Sequence, residues 1–320
     1  MASLSANLQG IIYLGVAMFI LSLQGVAVKW IGGDYSIIEM VLLRSFVAMP
    51  ASLLLFRLEG GRGLPKTQRP MLEYVRGFCL FLSYTTAFMA FAALPLAEVD
   101  AIRFSGPMMI TILSVIFLSE RVKAYRWVAL IVGFAGVLFM VRPGTATFNL
   151  GSVFALISVL FYAFSVLITR KLKSTDSSAT QTYYSSLVYL VAALVLAPLA
   201  LLITETPDTH PSIAFLLRAW KTPTLIDALI MFGLGFAWAG GMYFVARAYS
   251  TAPASVVAPF EYVSLPINVM WGLLLWQEIP VLATWIGAAL TVGSGLFILF
   301  HERQRRIVTA AQEPQAADAN

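Results

Sequence analysis

Histidine and cysteine are nearly missing from this chain, and charges of either sign are scarce. The two histidines, His210 and His301, fall in a connecting stretch and beyond the last apolar run, and no His-Glu-x-x-His or Gly-x-Gly-Asp pattern occurs. An intramembrane enzyme therefore lacks its metal ligands and bases, and neither catalysis, a metal nor a cofactor is expected. The one cysteine, Cys79, lies inside an apolar run, which excludes an intrachain disulfide. Charged residues make up 12% of 320 positions and hydrophobic ones 59%, outside the range of soluble globular domains. Mean hydropathy is +0.83. The formal net charge of +5 does not point to nucleic acid, because the basic residues cluster in short loops and report orientation instead.

Long apolar stretches are abundant. A helix needs ~20 apolar residues to cross the hydrocarbon, and ten runs qualify, at roughly 9–31, 36–56, 74–94, 97–118, 126–141, 150–169, 180–203, 225–246, 254–276 and 281–299. The fold class expected is an all-α integral membrane protein with ten transmembrane helices. The first run has no basic flank or small-residue cleavage site, so it stays as a helix. Arg57, Arg62, Lys66 and Arg69 follow the second run, Arg121, Lys123 and Arg126 the fourth, Arg170, Lys171 and Lys173 the sixth, and Arg303, Arg305 and Arg306 the tenth. All follow even-numbered runs, so the positive-inside rule puts both termini in the cytoplasm of a plasma membrane, here expected to be a bacterial inner membrane.

The two halves repeat each other. Residues 97–104 (AEVDAIRF), 118–123 (LSERVK) and 126–139 (RWVALIVGFAGVLF) correspond to the stretches 254–261 (ASVVAPFE), 275–280 (LWQEIP) and 284–297 (TWIGAALTVGSGLF), with the register of 158 residues set by the third and the first two windows drawn one residue off it. Glu120 and Trp127 align with Glu278 and Trp285, while Arg121, Lys123 and Arg126 have no basic counterpart. Five helices per half force the second to enter from the opposite side, which explains the lost charges. Lys29 likewise falls opposite Arg170 in a weaker match between the first and sixth runs. The expected division is a first repeat at 9–141, a second inverted repeat at 149–300 and a disordered cytoplasmic tail at 301–320. Within the second repeat, 204–222 is an external loop, its Ser212–Trp220 piece expected as a short surface helix capped by Ser212.

The pattern from Ala93 through Pro107, then Leu118-Ser119-Glu120, Trp127, Gly133 and Gly136, resembles the EamA domain of the drug/metabolite transporter superfamily. Its second copy carries Pro266, Glu278, Gly287 and Gly293, with one residue fewer between proline and glutamate. The resemblance covers residues from about 10 to 300. It implies ten helices in two halves, cytoplasmic termini, a central cavity and transport of a small organic solute. It does not imply which solute, since similar members carry amino acids, cofactors, vitamins or amphiphilic cations in either direction.

Ionisable side chains at bilayer depth cost roughly 3 kcal/mol or more, so they should face the bundle interior. Arg103 and Glu261 occupy equivalent repeat positions with opposite sign, each roughly 10 Å deep at ~1.5 Å per residue. They either hold a zwitterionic, amino-acid-like solute or neutralise each other or Arg44. Arg44 is near the midplane, and its partner must come from another helix, since Glu39 is off its face. Gln24 and Lys29 in the first run are further candidates, with snorkelling the alternative for Lys29. Asp100, Arg103, Thr111 and Ser114 share one helical face, and Glu261, Ser264 and Asn268 another. Tyr84 and Tyr243, aligned in the two halves, offer stacking and a hydroxyl. Pro107 and Pro266 mark expected kinks, and Gly133, Gly136 and Gly233 to Gly241 close helix approaches. The function expected is a secondary transporter moving a small organic solute by alternating access, as a monomer or homodimer in the lipid bilayer. If protons drive it, Glu261 is the first candidate carrier, with Glu98 and Asp100 next. A channel or uncoupled facilitator is the alternative.

Overall fold

The computed structural model describes residues 5–31, 35–93, 102–103, 105–120, 122–141, 150–202, 212–213 and 219–277, and from there 282, 285–287, 289–290, 293–294, 296–298 and 300–301. Helices are α1 (Ala6–Ile31), α2 (Ile37–Leu58), α3 (Pro70–Ala93), α4 (Gly106–Leu118), α5 (Ala124–Val141), α6 (Leu150–Leu172), α7 (Ser178–Leu202) and α8 (Leu225–Thr251). A broken segment follows, made of α9 (Ala254–Val257), a 3-10 turn (Ala258–Val263) and α10 (Ser264–Trp276). The described residues from 285 to 301 are helical. Six helical stretches among the described residues are long and apolar enough to cross a membrane. This is an integral membrane protein.

Local chemistry fixes where several helices begin and end. Ser36 caps α2 by accepting the Glu39 N–H at 3.2 Å, and Thr224 caps α8 by accepting the Asp227 N–H at 3.2 Å. In each case an acidic residue three positions on adds favourable charge at the amino end. Pro107 lies at the start of α4, where its missing N–H breaks no intrahelical bond. Ile102 and Arg103 before it are helical and Ser105 is a turn residue, so the chain turns at the start of α4, while 97–101 of the expected run lie outside the described residues. The second break is the 3-10 turn, which winds the chain about 20° more per residue than an α-helix. Pro266 falls just after it, in the first turn of α10.

Helices α4 and α10 each have 13 residues. Each ends in a left-handed residue other than glycine, Ser119 (φ 53°) and Gln277 (φ 54°). Packing runs mainly across the midpoint of the chain: α1 lies on α8, α2 on α7 and α8, α3 on α6 and α7, and α4 on α6, while α1 also meets the α9–α10 segment. One large core results, including Leu14, Leu80, Ile110, Trp238, Tyr249 and Val256, with two smaller clusters around Met231 and Ala155. Gly235 permits the α2–α8 approach, since a Cβ there would run into the backbone oxygen of Arg44. Gly133 does the same for α5, against the Tyr262 ring and Ser294.

Glu98, Asp100, Glu278, the expected tail beyond His301 and most of the expected surface helix lie outside the described residues. Of that helix, Ser212 and Ile213 are helical, whereas Ala219 and the exposed Trp220 are not.

Candidate functional site

Polar and aromatic side chains meet in the middle of the bundle in two adjoining groups. In the first, Arg44 of α2 is only 4% exposed. Its guanidinium carbon stands 4.6 Å from the Trp238 ring centroid of α8 and 5.1 Å from that of Tyr189 on α7. Its Nη1 donates to Gln24 Oε1 of α1 across 3.4 Å. Tyr84 of α3 completes the box, edge-on to Trp238 at 4.8 Å. The Tyr189 hydroxyl donates to the Leu80 carbonyl at 2.8 Å, and its oxygen also interacts with the Arg44 guanidinium. The partners of Arg44 thus come from other helices, as expected, but among the described residues no carboxylate ion-pairs with it. A desolvated cation gains about 2 kcal/mol from an aromatic face. Burial costs an ion several kcal/mol, and two faces, one long hydrogen bond and the Tyr189 oxygen leave this charge without a counter-ion among the described residues.

Arg76 of α3, a residue absent from the sequence expectations, is the internal control. It is 1% exposed, yet it donates to Thr169 Oγ1 at 2.7 Å, the Gln181 carbonyl at 2.7 Å and Ser185 Oγ at 2.6 Å. Glu73 adds a carboxylate oxygen at 3.8 Å. Three helices are joined at this node, and Arg76 is structural.

The second group surrounds Glu261. The 3-10 turn presents its buried carboxylate to Tyr162 of α6 and Tyr249 of α8, whose hydroxyls both donate to Oε1, at 2.8 Å and 2.5 Å. Oε2 faces the amino end of α4, where a Cβ on Gly106 would lie 3.9 Å from it. The positive end of that helix favours negative charge there. Arg103 interacts electrostatically with Glu261, Tyr84 and Tyr162, and Tyr84 also with Arg44. Arg103, Glu261, Arg44, Gln24 and Tyr84 are therefore neighbours, joined by Tyr162, Tyr189, Tyr249 and Trp238.

Other candidates lie elsewhere. Tyr243 donates to Glu59 Oε1 at 2.9 Å, as does Arg247, so it belongs to a node at the end of α2, away from Tyr84. Asn268 is exposed while Glu261 is buried; the change of winding at the 3-10 turn separates two positions that straight-helix periodicity put together. Thr111 and Ser114 are buried, but each hydroxyl donates to its own helix, to the carbonyls of Pro107 and Thr111 at 2.8 Å. The helix of Lys29 is described, its side chain is not. Tyr249 and Tyr189 went unnoticed in the sequence. Their signal was a polar ring on an otherwise apolar helical stripe, as with Trp238, Met242, Val245 and Tyr249 on α8.

One end of the bundle is tied by Glu120, just past α4. Its carboxylate accepts the N–H groups of Ala254 and Ser255 at 3.2 and 3.1 Å and the Ser255 hydroxyl at 2.9 Å. It also pairs with Arg170 at 3.3 Å. Arg170 in turn donates to the last carbonyls of α8, Tyr249 and Ala252, at 3.1 and 2.6 Å.

Comparison with known proteins agrees with this architecture. Residues 8–142 match the EamA-like transporter family. A protein of Rickettsia prowazekii named an S-adenosylmethionine uptake transporter is 26% identical over 94% of this chain and 96% of its own length. The pseudopaline exporter CntI of Pseudomonas aeruginosa is 29% identical over 91% of this chain and 93% of its own. A solved crystal structure superposes with a TM-score of 0.72 at 17% identity, over 93% of this chain and 99% of that one, a likeness of fold. The first half of the chain thus carries an EamA-like transporter domain, and the chain as a whole is similar to small-metabolite transporters along nearly its full length.

Proposed function

We propose that this chain is a secondary transporter that carries a small, amino-acid-like organic metabolite across the inner membrane by alternating access between two inverted five-helix halves. The observation that carries the reading is the meeting of Glu261, Arg103 and Arg44 in the bundle centre, since opposite charges around one site suit a zwitterion and have a high cost in a purely structural core.

Three features support inverted halves. The bounds of α4 and α10 are separated by one constant offset, the same that relates Glu120 to Glu278 and Arg103 to Glu261. Their left-handed end residues share that offset. The packing pairs also exchange when the two halves are swapped: α1 on α8 becomes α6 on α3, and α2 on α8 becomes α7 on α3. Broken helices at a repeat interface are a usual way for transporters to build a solute site at mid-membrane. The loops rich in Lys and Arg support a cytoplasmic position for both termini and the Glu120 node. Under this reading, Glu120 and Arg170 fasten the inner side, and their release opens it.

S-adenosylmethionine, the solute in the name of one relative, is the first to test, because it carries a carboxylate, an amine and a sulfonium cation. Purified protein in proteoliposomes is expected to exchange labelled for unlabelled solute, and an imposed proton gradient is expected to accelerate net uptake. Glu261→Gln should remove the acceleration and leave exchange measurable. Uptake with unchanged rate and unchanged pH dependence in that variant rejects Glu261 as the proton carrier. Flux that follows conductance, without counterflow, replaces the transporter by a channel.

A further inference from the structure

We infer that Arg44, Gln24 and Trp238 form the recognition site for a carboxylate on the transported solute. Three buried nitrogens there, Arg44 Nη2, Gln24 Nε2 and Trp238 Nε1, have no hydrogen-bond partner among the described residues. Their side chains are in mutual contact, through the Arg44–Gln24 hydrogen bond and the stacking of Arg44 on Trp238. Gln24 is 9% exposed and Trp238 1%. Buried donors in native proteins are nearly always satisfied, so three unpaired donors on side chains in mutual contact point to an acceptor that the described residues do not supply.

The chemistry of that acceptor follows from the donor set. All three groups are N–H donors. A water molecule accepts two bonds and brings two hydrogens, for which these three nitrogens offer no acceptor. A carboxylate accepts through two oxygens, about four bonds in all, and its planar geometry matches the guanidinium fork. It also supplies the negative charge that Arg44 lacks. Arg76 shows that this fold satisfies a buried arginine with protein groups when the role is structural.

The surroundings narrow the solute further. Trp238, Tyr189 and Tyr84 present rings around the guanidinium, so the carboxylate's remainder meets aromatic surface. That favours an organic acid over an inorganic anion. Arg44 is nearly sealed, and its carbonyl lies against Gly235, so α2 and α8 must part for the solute to enter. The assignment rests on the transport reading, for it names the group that the central site grips.

The test is direct binding to the purified full-length protein, followed by thermal shift and tryptophan fluorescence. The probes are benzoate, its neutral counterpart benzamide, and inorganic phosphate. Benzoate is expected to raise the melting temperature in a saturable way and to perturb tryptophan emission, while benzamide and phosphate do neither. Trp238→Phe keeps the ring and removes one donor, and should weaken benzoate several-fold. Arg44→Gln should weaken it more than about tenfold, the scale of a lost hydrogen bond to a charged group. If Arg44→Gln fails to fold, Trp238→Phe decides alone. Equal response to benzoate and benzamide, a response to phosphate alone, or wild-type benzoate affinity in these variants overturns the proposal. Benzoate-selective binding without any solute flux in proteoliposomes overturns transport and leaves this site. Flux without benzoate selectivity does the reverse.

Discussion

Arg76 and Arg44 are equally buried and yet predict opposite consequences when replaced. Arg76→Met strips donors from Thr169, Ser185 and the Gln181 carbonyl and leaves Glu73 buried without its cation. A loss of about 3–5 kcal/mol is expected, the usual result of breaking a buried pair, and thermal unfolding in detergent checks it. Arg44→Met removes a charge that no carboxylate among the described residues neutralises, so its stability should fall by less or rise. At this scale the sequence was partly readable. Arg44, Arg103 and Glu261 stand out because a charge inside an apolar run has few explanations. Arg76 did not, since a basic residue close to the start of a run reads as the edge of a loop, and its partners are scattered over Thr169, Gln181 and Ser185. The hydroxyls on Glu261 were hidden for the same reason: Tyr162 and Tyr249 come from two other helices.

Among the elements, the junction of α8 and α9 depends on a side chain from the other half. Glu120→Ala would leave the N–H groups of Ala254 and Ser255 uncapped and Arg170 without its anion. A loss of about 1–3 kcal/mol at this end is expected, seen as faster maleimide labelling of a cysteine introduced at Ala254 in a Cys79→Ser background. Gly235→Ala is expected to cost a similar amount, about 1–3 kcal/mol of overpacking, because its methyl meets the backbone at Arg44; a lower melting temperature is the readout. Apolar length located most elements to within a few residues, as for α2, α5 and α7. It failed at the two breaks. A run such as 254–276 is continuous in hydrophobicity, and composition records only whether a segment suits the membrane. Whether the winding tightens at Ala258–Val263 depends on what packs against it, with Tyr262 and Glu261 both turned inward.

For the whole molecule, orientation makes a clear prediction. Alkaline phosphatase fused after residue 220 is expected to be active, and after residue 60 or 173 inactive, with green fluorescence from a fusion at the C-terminus. The reverse pattern would invert the bundle and place the Glu120 node outside.

The way the halves interleave also sets an order of events during synthesis. Helices α1, α2 and α3 find their main partners in α8, α7 and α6, so the first of them waits in the bilayer until the chain has grown past residue 251. Arg76 waits for Thr169, Gln181 and Ser185, and Arg44, which has Gln24 from the first half, waits for Tyr189 and Trp238. The newborn first half is therefore a natural client for insertion chaperones, and Arg44 and Arg76 are the places where they would be needed. Halves made as separate chains, cut near residue 149, should be unstable singly and recover together, as copurification from one cell would reveal.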